Sequence, residues 1–221
     1  MIIFLVLLKS FLGTAQPEAS ATEVLREAFA YHDPGGQFMK SVVHLELAET
    51  RPNGTGRETT ITIDIPNQKF SAVSKIDGRT VSYEVTGDEA VTRVDGSTDI
   101  SEEDKKTFRI RPNRATFMRN YYVYLYGLPM KLNDPGTNID PVAQKTTYDN
   151  KEVYSVKVTY DEEVGKDTWY FYFDVKTFAM VGYRFYHDES KNDGEYILLS
   201  GEATSGSVRL PAARKWYTHQ D

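Results

Sequence analysis

Large side chains recur at every second position through the segment Asp167–Glu202, and nothing else in this chain restricts its fold as strongly. Trp169, Phe171 and Phe173 fall on one side of an extended run, Tyr170 and Tyr172 on the other. A period of two is that of a β-strand with a buried face. Asp174-Val175-Lys176-Thr177 supplies a polar turn, Phe178–Tyr186 a second strand, Asp188–Gly194 a second turn and Glu195–Glu202 a third strand. The segment predicts a three-stranded antiparallel meander. Aromatic residues on both faces of its first strand exceed what a half-solvated sheet needs.

The first residues bear on compartment. Ile2–Leu8 is an unbroken apolar run, followed by Lys9-Ser10, Phe11-Leu12 and the small residues Gly13-Thr14-Ala15. It falls short of the ~20 residues that span a hydrocarbon core. Its length and its small-residue end predict a secretory signal over residues 1–16, cleaved near Ala15 or Gln16, although no charged side chain precedes Ile2. A buried N-terminal strand is the alternative. The expected mature protein is one monomeric β-rich domain over residues 17–221, periplasmic or secreted, with no integral membrane segment once the signal is removed.

Composition narrows the partners. Lys and Arg number 26 against 32 Asp and Glu, a net charge of −6. Loss of Lys9 with the leader leaves 25 cations against the same 32 acids, a net charge of −7. Such an acidic chain is a poor general partner for nucleic acid or an anionic membrane surface. There is no cysteine, which excludes disulfides, thiolate nucleophiles, thiolate metal sites and lipidation at an N-terminal cysteine. No linker, repeat or low-complexity tract divides the chain.

A helix is expected after the leader, because Ser20 and Glu23 have capping-box spacing and Val24, Leu25, Ala28 and Phe29 form one stripe. His32-Asp33-Pro34-Gly35-Gly36 stops it. Five strands follow: one through Val43, Leu45 and Leu47, one through Ile61, Ile63 and Ile65, then Phe70–Ile76, Thr80–Thr86 and Ala90–Val94. Turn sequences such as Asn53-Gly54 and Asp77-Gly78 separate them. Alternation disappears from Ser101 to Leu132. There Asn113 is the expected cap of a helix that is aromatic or apolar nearly all round, with Gly127 and Pro129 as its stop. Such a helix must be buried on most sides, which places it in the concave side of a curved sheet. Val153–Tyr160, the meander and a strand over Val208–Tyr217, edged or bulged at Pro211, complete the expectation.

This order of elements resembles the envelope lipoprotein carriers typified by LolA and LolB. The resemblance implies an α+β, β-dominated fold, a half-open β-barrel of curved antiparallel sheet over a central helix, with an N-terminal helix and a greasy cavity. Tyr124-Leu125-Tyr126-Gly127-Leu128-Pro129, Lys131–Thr137, Asp167–Asp174 and Gly182–Asp188 are similar, more specifically, to a family of exported Bacteroidota proteins without assigned function. That likeness covers nearly all the mature chain. No residue carries over from the carriers as an acyl-chain or release residue, and a fold does not fix a function.

Polar constellations are few. Tyr31-His32-Asp33 and Tyr186-His187-Asp188 read first as turn chemistry, with a divalent-metal or acid–base role as the alternative. No Gly-x-Ser-x-Gly elbow or phosphate loop occurs, and Asp161, Glu162 and Glu163 read as a solvated turn. No catalytic constellation is found and no cofactor is implied. Arg109, Arg111, Arg114 and Arg119 cluster before and inside the central helix, as a solvated rim or as a cationic mouth. The sharpest expectation is a pocket between the helix Asn113–Tyr126 and the strand Thr168–Phe173. Phe117, Tyr121, Leu125, Trp169 and Phe171 would form its apolar wall, and Arg114 or Arg119 its headgroup contact. Its ligand would be a lipid, an acyl chain or another amphiphile. The alternative is an envelope protein-interaction or assembly factor whose core is filled by side chains.

Overall fold

The computed structural model describes residues 18–219, so the expected signal over 1–16 lies outside the described residues. β1 (Glu18–Ser20) leads directly into α1 (Ala21–His32). β2 (Val42–Thr50), β3 (Gly56–Asp64), β4 (Lys69–Ile76), β5 (Arg79–Thr86) and β6 (Glu89–Val94) form a five-stranded antiparallel meander in chain order. α2 (Glu102–Thr107) and α3 (Arg114–Gly127) fill the middle of the chain. The remaining strands are β7 (Thr137–Ile139), β8 (Val142–Tyr148), β9 (Lys151–Tyr160), β10 (Thr168–Asp174), β11 (Met180–Tyr186), β12 (Glu195–Ser200), β13 (Ala203–Ser205), β14 (Val208–Leu210) and β15 (Ala213–Thr218). They build an eight-stranded sheet ordered β1-β8-β9-β10-β11-β12-β15, with β7 paired to β9, and a separate β13-β14 hairpin.

The fold is α+β and β-dominated, and its curved antiparallel sheets do not close into a barrel. Where one sheet over a helix was expected, there are two, each with its own core. On the eight-stranded sheet, Val24, Leu25 and Ala28 of α1 pack with Val156, Phe171, Phe173, Tyr183 and Ile197. On the five-stranded sheet, Ala115, Met118 and Tyr122 of α3 pack with Phe70, Ala72, Val81, Tyr83 and Val85. Leu125, one turn further along α3, joins the first core instead. The central helix therefore ties the two sheets together.

The meander predicted from alternation is present as β10, β11 and β12, in antiparallel register with Trp169 opposite Phe185 and Gly182 opposite Leu198. Phe171 and Phe173 face α1. Tyr172 faces outward, where its ring stacks on Tyr148 of β8 at 3.9 Å between centroids. On this second face the Tyr148 side chain covers Tyr172, while Tyr170 stays half-buried with its hydroxyl donating to Glu189.

Local expectations fare unevenly. Ser20 precedes α1 but makes no side-chain cap; the Ala21 N–H donates instead to the Pro141 carbonyl at 3.0 Å, beside the β1–β8 pairing. Asn113 precedes α3 in a left-handed conformation (φ 61°), also with no side-chain cap, a backbone state that Asn tolerates better than most residues. The strand expected over Val208–Tyr217 is two, because Pro211 separates β14, which pairs β13, from β15, which pairs β12 at the edge of the large sheet. No helix among the described residues is long and apolar enough to cross a membrane.

Candidate functional site

A cleft of about 590 Å³ opens between the outer flank of α3 and the far ends of β9 and β10. Its helical wall is Arg119, Asn120, Val123 and Tyr124, which recur on one flank at three- and four-residue spacing. The facing wall is Tyr160 at the end of β9, Val164 in the connecting loop and Trp169 at the start of β10. Strand polarity places Trp169 here. The register that buries Phe171 and Phe173 sends Trp169 to the same face one pleat nearer the start of the strand, where it is only partly buried against the core.

Three rings meet edge to face in this cleft. Tyr124 lies 6.2 Å from Tyr160 and 5.9 Å from Trp169, at interplanar angles of 74° and 69°. The hydroxyls of Tyr124 and Tyr160 are hydrogen-bonded to each other. Burial pushes the Tyr124 phenol well above its usual range and Tyr160 up to about 12, so both stay neutral at physiological pH. The wall they make is apolar with one polar seam.

Charges sit around the rim. Lys131 and Asp134 form an ion pair with each other. Asp167 accepts from His187 Nδ1 at 2.8 Å, and that hydrogen bond holds the His187 pKa above its ordinary value. Arg119 donates to the Gly87 carbonyl at 3.2 Å and to Asn120 Oδ1 at 3.1 Å, and has no carboxylate partner among the described residues. Glu163 has no ion-pair partner among them either.

Of the residues expected to build the site, Trp169 and Arg119 line this cleft. Leu125 and Phe171 do not: both are buried in the core of the eight-stranded sheet. Phe117 and Tyr121 are corrected as well. They are 45% and 40% exposed and stack on each other, centroids 6.3 Å apart, on a different flank of α3. The Arg114 guanidinium accompanies them, 5.0 Å from the Phe117 ring, with Arg111 at 5.2 Å on the same ring. The error has one physical origin. An all-round aromatic helix gives no hydrophobic face, so sequence alone could not say which flank meets which sheet. Asn120, Val123, Tyr160 and Val164 lie outside the expected set, while Tyr124 belongs to the aromatic surplus of the central helix.

Both Tyr-His-Asp motifs are engaged in hydrogen bonds, His187 with Asp167 at the cleft rim. His32 is buried; its Nδ1 donates to the Arg209 carbonyl at 2.7 Å and its Nε2 accepts the Met180 N–H at 2.9 Å. Asp33 accepts the N–H groups of Gln37 and Phe38, and Asp188 that of Ser190, as turns require. No group of three or more His, Asp or Glu among the described residues is placed to hold a metal ion.

Fold and cleft together define a β-dominated α+β protein with an aromatic, charge-rimmed groove beside its central helix. The chain belongs to the family described as "Family of unknown function (DUF6503)", matched over residues 1–221. No curated protein and no solved structure matches it.

Proposed function

We propose that this protein binds an amphiphile in the cleft between α3 and the β9–β10 ends, as an exported carrier or sensor in the periplasm or outside the cell. One observation carries the reading: Trp169, Tyr124, Val123 and Val164 present an apolar wall to solvent beside Arg119, a cation without a carboxylate partner among the described residues. The volume lies within the ~300–1,000 Å³ typical of small-molecule sites. Affinity would come from apolar area removed from water, ~25 cal/mol per Å², less the cost of immobilising the chain. Likeness to the lipoprotein carriers and the apolar leader support the same reading.

The test is displacement of an environment-sensitive acyl probe by unlabelled single-chain lipids of increasing length. Saturable displacement that tightens with chain length, and weakens in Trp169→Ala, is expected. No saturable binding at any length would overturn the proposal. A second reading, a protein-interaction factor, is favoured by the exposed Phe117–Tyr121 stack with Arg111 and Arg114 beside it. Aromatic and arginine side chains are the commonest anchors of interfaces.

A further inference from the structure

Amphiphiles differ at the head, and the charges on the rim of this cleft bear on which head fits it. Its charged side chains are Arg119 and Lys131 against Asp134, Glu163 and Asp167. A simple anion such as a fatty-acid carboxylate would meet more carboxylates than cations there. The internal pairings sharpen the point. Lys131 and Asp134 neutralise each other, and Asp167 is engaged by His187. What remains is one uncompensated charge of each sign on facing walls, Arg119 on α3 and Glu163 on the loop before β10. The same cleft is lined by Tyr124, Tyr160 and Trp169, with Tyr124 edge to face against the other two. An ammonium group is attracted to tyrosine and tryptophan rings. An arginine is the matching partner for a phosphate or carboxylate.

Resting on the amphiphile reading, we infer that the ligand's head is zwitterionic: an ammonium against Tyr124, Tyr160 and Trp169 beside Glu163, and a phosphate or carboxylate on Arg119. Either charge alone would leave one rim residue uncompensated. Lipid-borne and free heads share this chemistry, so the experiment separates them.

The full chain carrying Trp216→Phe leaves Trp169 as its single tryptophan reporter. It is titrated with dodecylphosphocholine, dodecyl phosphate and dodecyltrimethylammonium below their micelle concentrations, and with chain-free phosphocholine. Dodecylphosphocholine is expected to bind about tenfold more tightly than either singly charged ligand, a difference of ~1.4 kcal/mol. Glu163→Gln narrows its advantage over dodecyl phosphate, and Arg119→Gln its advantage over dodecyltrimethylammonium. Phosphocholine alone binding as tightly as the chain-bearing compound would overturn a lipid-borne ligand. Equal or tighter binding of dodecyl phosphate overturns the zwitterionic head and leaves the amphiphile reading standing. Failure of all three chain-bearing ligands to saturate overturns both.

Discussion

The ring of His32, at the end of α1, accepts the backbone N–H of Met180 on β11 at 2.9 Å across 148 positions of chain. Its other nitrogen donates to the Arg209 carbonyl, so the neutral tautomer satisfies two strands at once. A cation could not accept the Met180 N–H.

Burial accordingly lowers the His32 pKa below its ordinary 6.5. A base with a depressed folded-state pKa contributes stability fully above the unfolded value, and loses it as pH falls through about 6.5 toward the folded value. His187 has the opposite sign, because Asp167 raises its pKa; its contribution is full below about 6.5 and lost above. Urea midpoints measured between pH 7.5 and 5 should therefore fall on acidification in His187→Gln. Adding His32→Gln should flatten that fall while lowering stability throughout. An unchanged slope in the double variant would show that His32 is not held neutral.

Gly182 is a packing requirement of β11. A Cβ there would come within 2.2 Å of Tyr148 Cε1 and 2.8 Å of the Ile197 carbonyl oxygen. The Tyr148 ring cannot retreat freely, since it stacks on Tyr172 and its hydroxyl donates to the Ile197 carbonyl at 3.1 Å. Gly182→Ala is expected to cost ~1–3 kcal/mol by overpacking. Tyr148→Ala in the same chain should recover part of that cost. A neutral Gly182→Ala in thermal denaturation would refute the close approach.

Neighbouring tyrosines on α3 should behave differently. Tyr122 is buried, with its ring 6.2 Å from Phe70. A carboxylate there would be desolvated, and the nearby Arg57 is already paired with Glu49, so Tyr122→Asp should cost several kcal/mol of a total stability of ~5–15 kcal/mol. Tyr121→Asp, placed where the ring is 40% exposed, should cost only ~1 kcal/mol, mostly its stacking on Phe117. Comparable losses at the two sites would contradict the observed orientation of the helix.

The hydroxyl pair in the cleft can be weighed by a double-mutant cycle. Tyr124→Phe or Tyr160→Phe alone strands one half-buried hydroxyl and should cost ~1–2 kcal/mol. The double variant should cost less than the two singles together. Strict additivity would mean that the two groups do not interact.

Much of this architecture is legible in the sequence wherever one face of a strand is buried. Ile61 and Ile63, or Phe171 and Phe173, alternate because every second residue enters a core. β8 escapes such a reading, since of Val142–Tyr148 only Ala143 and Tyr148 are buried, on either side of a polar run. α2 escapes it too, being six residues without a buried side chain, capped by Ser101 through the Asp104 N–H. The cleft adjoins α3 and β10, the helix and strand that the sequence singles out, and of the seven residues expected to line it Arg119 and Trp169 do so. Which flank of α3 faces solvent is decided by two sheets competing for the same greasy helix, and no local pattern records that competition.

The pairing of β1 with β8 sets Glu18 against Gln144, whereas each strand from β2 to β6 pairs with its immediate neighbour in sequence. Contacts between neighbours close short loops and form quickly; closing a loop of more than a hundred residues is slower. Within the larger sheet β8 to β12 also pair with their chain neighbours, so the long closure belongs to the β1 edge alone. Neither the five-stranded meander nor the β9–β10 hairpin that walls the groove depends on that closure; what β1 brings to the large sheet is α1, which covers its core.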